Sequence, residues 1–523
     1  FVTDGYVSDD CKQLAAVTLG MGIYGTLVWL LGRLRLAVKL RWPAAGLAAA
    51  LLALAAAGAV LGGCLWAEAR VPRAQKSGGA PLGWPFWLCV LPLLVLAVWL
   101  LFTHTLYLKG GAYWCGQSTY GDLPMHLAFI QSIAQQGDFP PRYPLLAGEG
   151  AYGYPFLCET VSSVFLLLGA GLKLACLLPQ CLALLAVFGG GWLLAHALLD
   201  GRGKASLAYW LFFMGSGFGF AYFLGGDKGN FTRIFTAFYE TPTNYVQENV
   251  RWVNPVVDLL IPQRGLLGGW TMLMPCLNLL LPPLSRGEKH ETRALVILGI
   301  MAGGLPLLHT HSYLALVLLS LGSCLYCVFR DGDKAGRWQR FRPWLLYGAI
   351  AAALSLPQLL CFTFVQATES NHFLRFQFNW CNNRGGRGLV DPYFFFYIKN
   401  IGFPYLLILL ALLKRKPKEL EAPGAAEEAA AVRQYRLIAC GAFLIYGIAE
   451  FIIFQPNEYD NNKLLYVWFA LCLPMAADYA VEIWERLKGL AGRRVIAGLF
   501  LFCCFFGPAL TVAREWVSDY QAY

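Results

Sequence analysis

The sequence predicts an all-α integral membrane protein, a polytopic bundle of roughly 12–14 transmembrane helices with interfacial helices in its first large loop. Three observations carry that reading. Hydrophobic residues make up 58% of the 523 and charged residues only 14%, against about 25% charged in an ordinary soluble domain. Apolar stretches of about 20 residues, the length that crosses a bilayer, recur from end to end. The polar residues gather in a few loops instead of spreading along the chain.

Element by element, the apolar stretches lie at 13–32, 44–66, 84–107, 155–172, 175–198, 206–225, 266–283, 294–308, 311–328, 344–364, 393–413, 436–454, 464–482 and 495–511. Residues 1–107 form an N-terminal set of transmembrane segments, 108–154 a polar loop, and 155–523 the remaining bundle with polar loops at 226–265, 365–392 and 455–463. Inside the first loop, Leu123, Leu127, Ile130 and Ile133 recur at helical spacing beside His126, Gln131 and Gln135. That pattern predicts a helix over 124–136 lying on the membrane surface instead of crossing it. The chain opens at Phe1 and not at Met, as a fragment would, so a leader peptide cannot be judged.

The net charge of +10 would suggest nucleic acid in a soluble protein. Here it reflects orientation in the bilayer, and no nucleic-acid partner is expected. Arg330, Lys334, Arg337, Arg340 and Arg342 load one connection, and Lys414, Arg415, Lys416 and Lys418 another; the positive-inside rule makes both cytoplasmic. Counting crossings from there puts 226–265, 365–392, 455–463 and the His309–His311 turn outside. Loop 108–154 is weakly acidic and sits outside by its own charge, whereas strict counting of crossings puts it inside. Of the 16 cysteines, Cys324 and Cys327 form a CxxC in Leu-rich sequence with no second pair, so neither zinc nor redox chemistry follows. Cys115 and Cys381 lie in loops and could pair in an oxidising compartment.

The first loop reads GDLPMHLAFIQSIAQQGDFPPRYPLLAGEGAYGYPFLCETVSSVFLLLG from Gly121. Asp122 starts the amphipathic helix, Gly137-Asp138 follows, then Pro140-Pro141, and Tyr154-Pro155-Phe156-Leu157 opens the next apolar helix. This order, over about fifty residues, resembles the first extracytoplasmic loop of the GT-C superfamily of membrane glycosyltransferases, and most of all protein O-mannosyltransferases and lipid A aminoarabinose transferases. The chain departs from that pattern twice: Leu123 stands where a Glu usually follows the Asp, and Gly153-Tyr154 where a Lys usually precedes the helix. The resemblance implies a GT-C bundle in a bacterial plasma membrane with its active site on the extracytoplasmic face. There it would move a sugar, with inversion, from a polyprenyl-phosphate-linked donor to an acceptor glycan, lipid or protein, with Asp122 as base.

The chemistry asks for the same residue types. Glycosyl transfer from a lipid phosphate needs a base for the acceptor's proton, and the leaving phosphate needs Arg, Lys, a divalent metal ion or backbone N–H donors. Asp122 fits the first role; it would equally serve as the helix N-cap. His126, one turn on, could orient that carboxylate. Arg142 and Tyr143 could meet a phosphate or anchor the loop, and Glu149, flanked by Gly148 and Gly150, could bind acceptor or metal or mark a turn. Glu159 could line the same cavity. Arg264, at the mouth of the next span, could hold phosphate or snorkel.

Further along, Glu458-Tyr459-Asp460-Asn461-Asn462-Lys463 is the densest outer polar run, with Glu458, Asp460 and Asn461 suited to sugar hydroxyls and Lys463 to phosphate, or forming a polar turn. Asn379, Asn382, Asn383, Arg384 and Arg387 give the preceding loop a similar character. Glu450 is a carboxylate within a span. His309 and His311 do not share a helical face, so hydrogen bonding is expected of them and not metal ligation. Two other function classes stand beside the transferase: a transporter or flippase of a lipid-linked or small polar substrate, which would carry repeats and broken helices, and a non-catalytic relative of the GT-C fold, which Leu123 keeps open.

Overall fold

The computed structural model describes residues 83–518 apart from 117, 137–140, 146–152, 227, 288–289, 291, 331–333, 365–373, 384–387 and 415–424. It is helical throughout, with three two-stranded antiparallel ribbons as its sheet content among the described residues. The helices are α1 (Trp84–His104), α2 (Leu123–Gln135), α3 (Leu157–Leu167), α4 (Leu172–Leu198), α5 (Arg202–Met214), α6 (Lys228–Thr236), α7 (Arg264–Arg286) and α8 (Thr292–Gly303). They continue as α9 (Thr310–Phe329), α10 (Arg337–Gln358), α11 (Tyr393–Ile401), α12 (Phe403–Leu412), α13 (Ala425–Phe451), α14 (Asn462–Arg486) and α15 (Arg493–Ser518). The chain divides into two compact units, one holding 122–194 and 263–371 with the start of α1, the other 95–121, 195–262 and 372–523.

In the first unit α7 is the central helix, its apolar stretch wholly buried. Glycine decides how closely its neighbours approach. A Cβ at Gly268 would fall 2.1 Å from Cys158 Sγ on α3, so only a residue without a side chain admits that crossing. Gly299 and Gly303, one turn apart on α8, do the same against α10: their Cβ atoms would lie 2.8 Å from Ile350 Cβ and 2.5 Å from Leu354 Cβ. Small residues at this spacing are how apolar helices pack backbone to backbone. The helix α7 ends on Gly287, whose φ of 76° gives the left-handed cap.

The predicted surface helix is α2. Pro124 occupies its first turn, where a missing N–H costs nothing, and Leu123, His126, Phe129, Ile130 and Ile133 form its buried stripe. These side chains pack on α3, where Ser163 Oγ donates to the Ile130 carbonyl at 2.8 Å. Burying an apolar side chain of this size stabilises by roughly 1.5–3 kcal/mol relative to water, so the stripe is enough to seat a thirteen-residue helix.

The second unit is built around α14, which packs against α5, α12 and α13 and buries Tyr466, Trp468 and Phe469. The ribbons β1 (Tyr107–Lys109) with β2 (Ala112–Trp114), β3 (Asn244–Tyr245) with β4 (Val250–Arg251) and β5 (Arg375–Phe376) with β6 (Ile452–Ile453) tie its loops together. The α11–α12 pair bends by 118° at Gly402, which has φ 77°. A Cβ there would sit 2.9 Å from Gly217 Cα, so the same glycine permits both the turn and the contact.

Among the described residues seven helices are long and apolar enough to cross a membrane, or eight if the bent pair counts as one span. The expected spans 13–32 and 44–66 lie outside the described residues. Four others differ in form. The stretch 206–225 is α5, a break, and a 3-10 turn over Gly219–Phe223. Residues 155–172 give only the eleven-residue α3 and 294–308 only the twelve-residue α8, and 393–413 is the broken pair.

Candidate functional site

Asp122 stands at the N-cap of α2, exposed, with φ −96°, ψ −22° and no side-chain capping bond. Its carbonyl accepts from His126 N at 3.1 Å, so the helix's first backbone bond links these two residues. The His126 side chain does not turn toward Asp122. Its Nδ1–H donates to Glu159 Oε1 at 2.7 Å, and both side chains are buried, at 1% and 0% exposure. The expected orienting contact between His126 and Asp122 is thereby replaced by one to α3.

Arg264 completes a buried triad. Its Nε lies 3.6 Å from Glu159 Oε1, and the side chain is 3% exposed. Nη1 donates to the Cys176 carbonyl at 2.7 Å and to Gln180 Oε1 at 2.9 Å, and Nη2 to Ser162 Oγ at 2.6 Å. Arg264, which the sequence places at the mouth of a span to hold phosphate or snorkel, lies inside the unit, its terminal nitrogens occupied by α3 and α4. Buried charges persist where they are paired and hydrogen-bonded, and this cluster meets that condition with one carboxylate between an imidazole N–H and a guanidinium. Glu159 Oε2 and His126 Nε2 carry no hydrogen bond. The ring of Tyr154 stands edge-on to His126 with centroids 5.9 Å apart.

The remaining first-loop candidates lie nearby in sequence. Arg142 is exposed, and its backbone is clasped by Gln136, whose Oε1 accepts from Arg142 N at 2.6 Å while Nε2 donates to Arg142 O at 2.9 Å. The Tyr143 ring packs on Phe129 at 5.4 Å. Glu149 lies outside the described residues, as do Arg384 and Arg387.

In the second unit Glu458, Asp460, Asn461 and Lys463 of the polar run all have partners within the protein. Lys463 Nζ pairs with Asp460 Oδ1 at 2.8 Å, and Glu458 Oε2 lies 3.6 Å from Arg375 Nη2. Asn461 donates to the carbonyls of Ala449 at 3.0 Å and Ile452 at 2.7 Å, so its amide holds the turn that starts α14. Glu450 is buried and accepts from Asn379 Nδ2 at 2.9 Å and from Tyr397 OH. His309 caps α9, with Nδ1 2.8 Å from Ser312 Oγ. Cys115 and Cys381 are not joined to each other by a disulfide. Among the described residues no three His, Cys, Asp or Glu converge on one point.

Several residues of this arrangement are silent in the sequence. Ser162, Cys176 and Gln180 look like ordinary polar punctuation of apolar helices, and only the buried arginine gives them a purpose. Lys399 reads as an interfacial lysine, yet it is 5% exposed and paired with Asp391.

Fold and composition define a multi-pass integral membrane protein. No protein-family model matches the chain, and no curated protein matches it in sequence. Among solved structures, it is similar to the archaeal oligosaccharyltransferase AglB from Archaeoglobus fulgidus in complex with an inhibitory peptide and a dolichol-phosphate. That likeness has TM-score 0.46 and 11% identity, and covers 83% of this chain and 56% of the other. The chain thus spans little more than half the length of that protein.

Proposed function

We propose that the protein is a membrane glycosyltransferase moving a sugar from a polyprenyl-phosphate-linked donor to an extracytoplasmic acceptor, with inversion and with Asp122 as the base. The observation that carries this reading is that Asp122 holds no capping bond. The structural role that would otherwise account for an Asp at a helix start is vacant, and an exposed carboxylate stands at the head of a helix that is firmly seated behind it. In the reaction the acceptor hydroxyl gives its proton to the Asp122 carboxylate. Its oxygen bonds to the anomeric carbon as the bond from that carbon to the phosphate oxygen breaks, and the electron pair leaves with the phosphate. His126, Glu159 and Arg264 seat the helix and do not touch the reacting atoms. Turnover of a labelled polyprenyl-phosphate sugar by membranes bearing the wild type or Asp122→Asn tests the reading. General-base loss lowers rates by about 10²–10⁴-fold, and undiminished turnover at equal protein level would overturn it.

The 118° break between α11 and α12 favours a second reading, since transporters carry substrate at broken helices. Movement of an intact lipid-linked sugar across proteoliposomes, with no transfer product formed, would establish the transporter in place of the enzyme.

A further inference from the structure

Six described cations with described side chains lie in the second unit's segments between 228 and 262, 374 and 414, and 455 and 463. Five have carboxylate partners: Arg233 with Glu240, Arg375 with Glu458, Lys399 with Asp391, Lys414 with Glu482 and Lys463 with Asp460. The sixth is Arg251 on β4. It is 6% exposed, its Nε has no hydrogen-bond partner, and no carboxylate of the described residues pairs with it. One face of its guanidinium is covered by the Tyr459 ring, with Cζ 4.8 Å from the centroid.

Its position is fixed from several sides. The backbone N–H of Arg251 donates to Asn400 Oδ1 at 2.6 Å, and β4 pairs with β3 in register Asn244 to Arg251. The neighbouring Asn249, at φ 55°, is held by Asn382 and Asp391 at 2.9 and 2.7 Å. A guanidinium stays charged at any ordinary pH, and a buried charge without a counter-ion is strongly unfavourable. Stacking on an aromatic ring offsets part of that cost but occupies the face and leaves the N–H edge unfilled. That edge is the fork that binds planar or tetrahedral oxyanions in bidentate fashion.

We infer that Arg251, backed by Tyr459, is the anchor of an anion site that takes a phosphoryl group. Nothing in the loop sequence singles this arginine out; its isolation from carboxylates does. The phosphoryl group can belong to a lipid or to a free phosphate, and the lipid case rests on the donor proposed above.

The test uses the full chain in phosphatidylcholine nanodiscs, wild type against Arg251→Met and Arg251→Lys. Thermal melting is followed with inorganic phosphate and pyrophosphate, and separately in nanodiscs doped with polyprenyl monophosphate. The wild type is expected to gain melting temperature with a phosphoryl probe, and Arg251→Met to bind it about ten-fold more weakly or worse, with Arg251→Lys between them. Without any anion, Arg251→Met should melt at or above the wild type, because an uncompensated buried charge has been replaced by an apolar chain. A response to polyprenyl phosphate alone assigns the lipid source, and a response to free phosphate supports the site independently of the transferase reading. Equal responses from wild type and Arg251→Met, no response to any probe, or a marked loss of stability in anion-free Arg251→Met would each overturn the proposal.

Discussion

Glu159 and His126 meet across 33 residues of chain, Oε1 to Nδ1 at 2.7 Å, with neither side chain open to solvent. Arg264 balances the same carboxylate from α7. Removing one partner of a buried ion pair leaves the other uncompensated and typically costs about 3–5 kcal/mol. Arg264→Gln is expected to lose stability on that scale in denaturant unfolding of the purified protein. The double variant Arg264→Gln, Glu159→Gln should recover part of it, and strictly additive losses would show that the two side chains are not coupled.

Asp122→Ala is expected to leave stability within about 0.5 kcal/mol of wild type, as for a surface substitution away from special features, while abolishing transfer. Loss of a working N-cap would cost about 1 kcal/mol. A melting shift of that size would return Asp122 to a structural role.

Glycine at 299 and 303 is required by contact and not by backbone conformation. Gly303→Ala would force a Cβ against Leu354 Cβ at 2.5 Å, and overpacking of this kind costs about 1–3 kcal/mol. Gly189→Ala in α4 meets nothing within 4 Å and should be neutral or stabilising by up to about 1 kcal/mol. Parallel melts of the two variants check the contrast.

His290, between α7 and α8, places Nε2 3.0 Å from the Leu280 carbonyl. Desolvation holds its pKa below the ordinary value of 6.5, with the Leu280 and Leu279 carbonyls opposing. The unfolded chain therefore takes up a proton at higher pH than the folded one. Stability from this group is complete above about pH 6.5 and declines as the pH falls through the folded value. Unfolding measured across about pH 5–7 should show that slope, and His290→Gln should flatten it.

Cys115 tests the side of the membrane on which the first loop lies. It is a partly exposed cysteine outside any disulfide, and an impermeant maleimide added to intact cells is expected to label the wild type more than Cys115→Ser. Equal labelling of the two would remove the extracytoplasmic acceptor from the proposed reaction.

Much of this was legible in the residues. Leu123, Ile130 and Ile133 at helical spacing gave α2 to within a residue or two, and the apolar runs gave α1, α7, α9, α14 and α15. The broken elements were not legible, because their causes are long-range. The run at 206–225 stops being helical where a Cβ at Gly217 would lie 2.1 Å from the Lys399 carbonyl, a neighbour 182 positions away in sequence. In the same way His126 sits one turn from Asp122, which local periodicity pairs with it, whereas folding pairs it with Glu159. Periodicity reports which face is buried but not which partner waits there.

The absence of a bond at Asp122 has a consequence for how this position can change. The buried side chains of α2 begin at Leu123 and end at Ile133, so residue 122 can be exchanged for Glu, Ser or Asn while the helix stays docked. A requirement for an acid at 122 would come from outside the fold, and a library of all side chains at 122, sorted first for abundance in the membrane and then for growth, would separate those two demands directly.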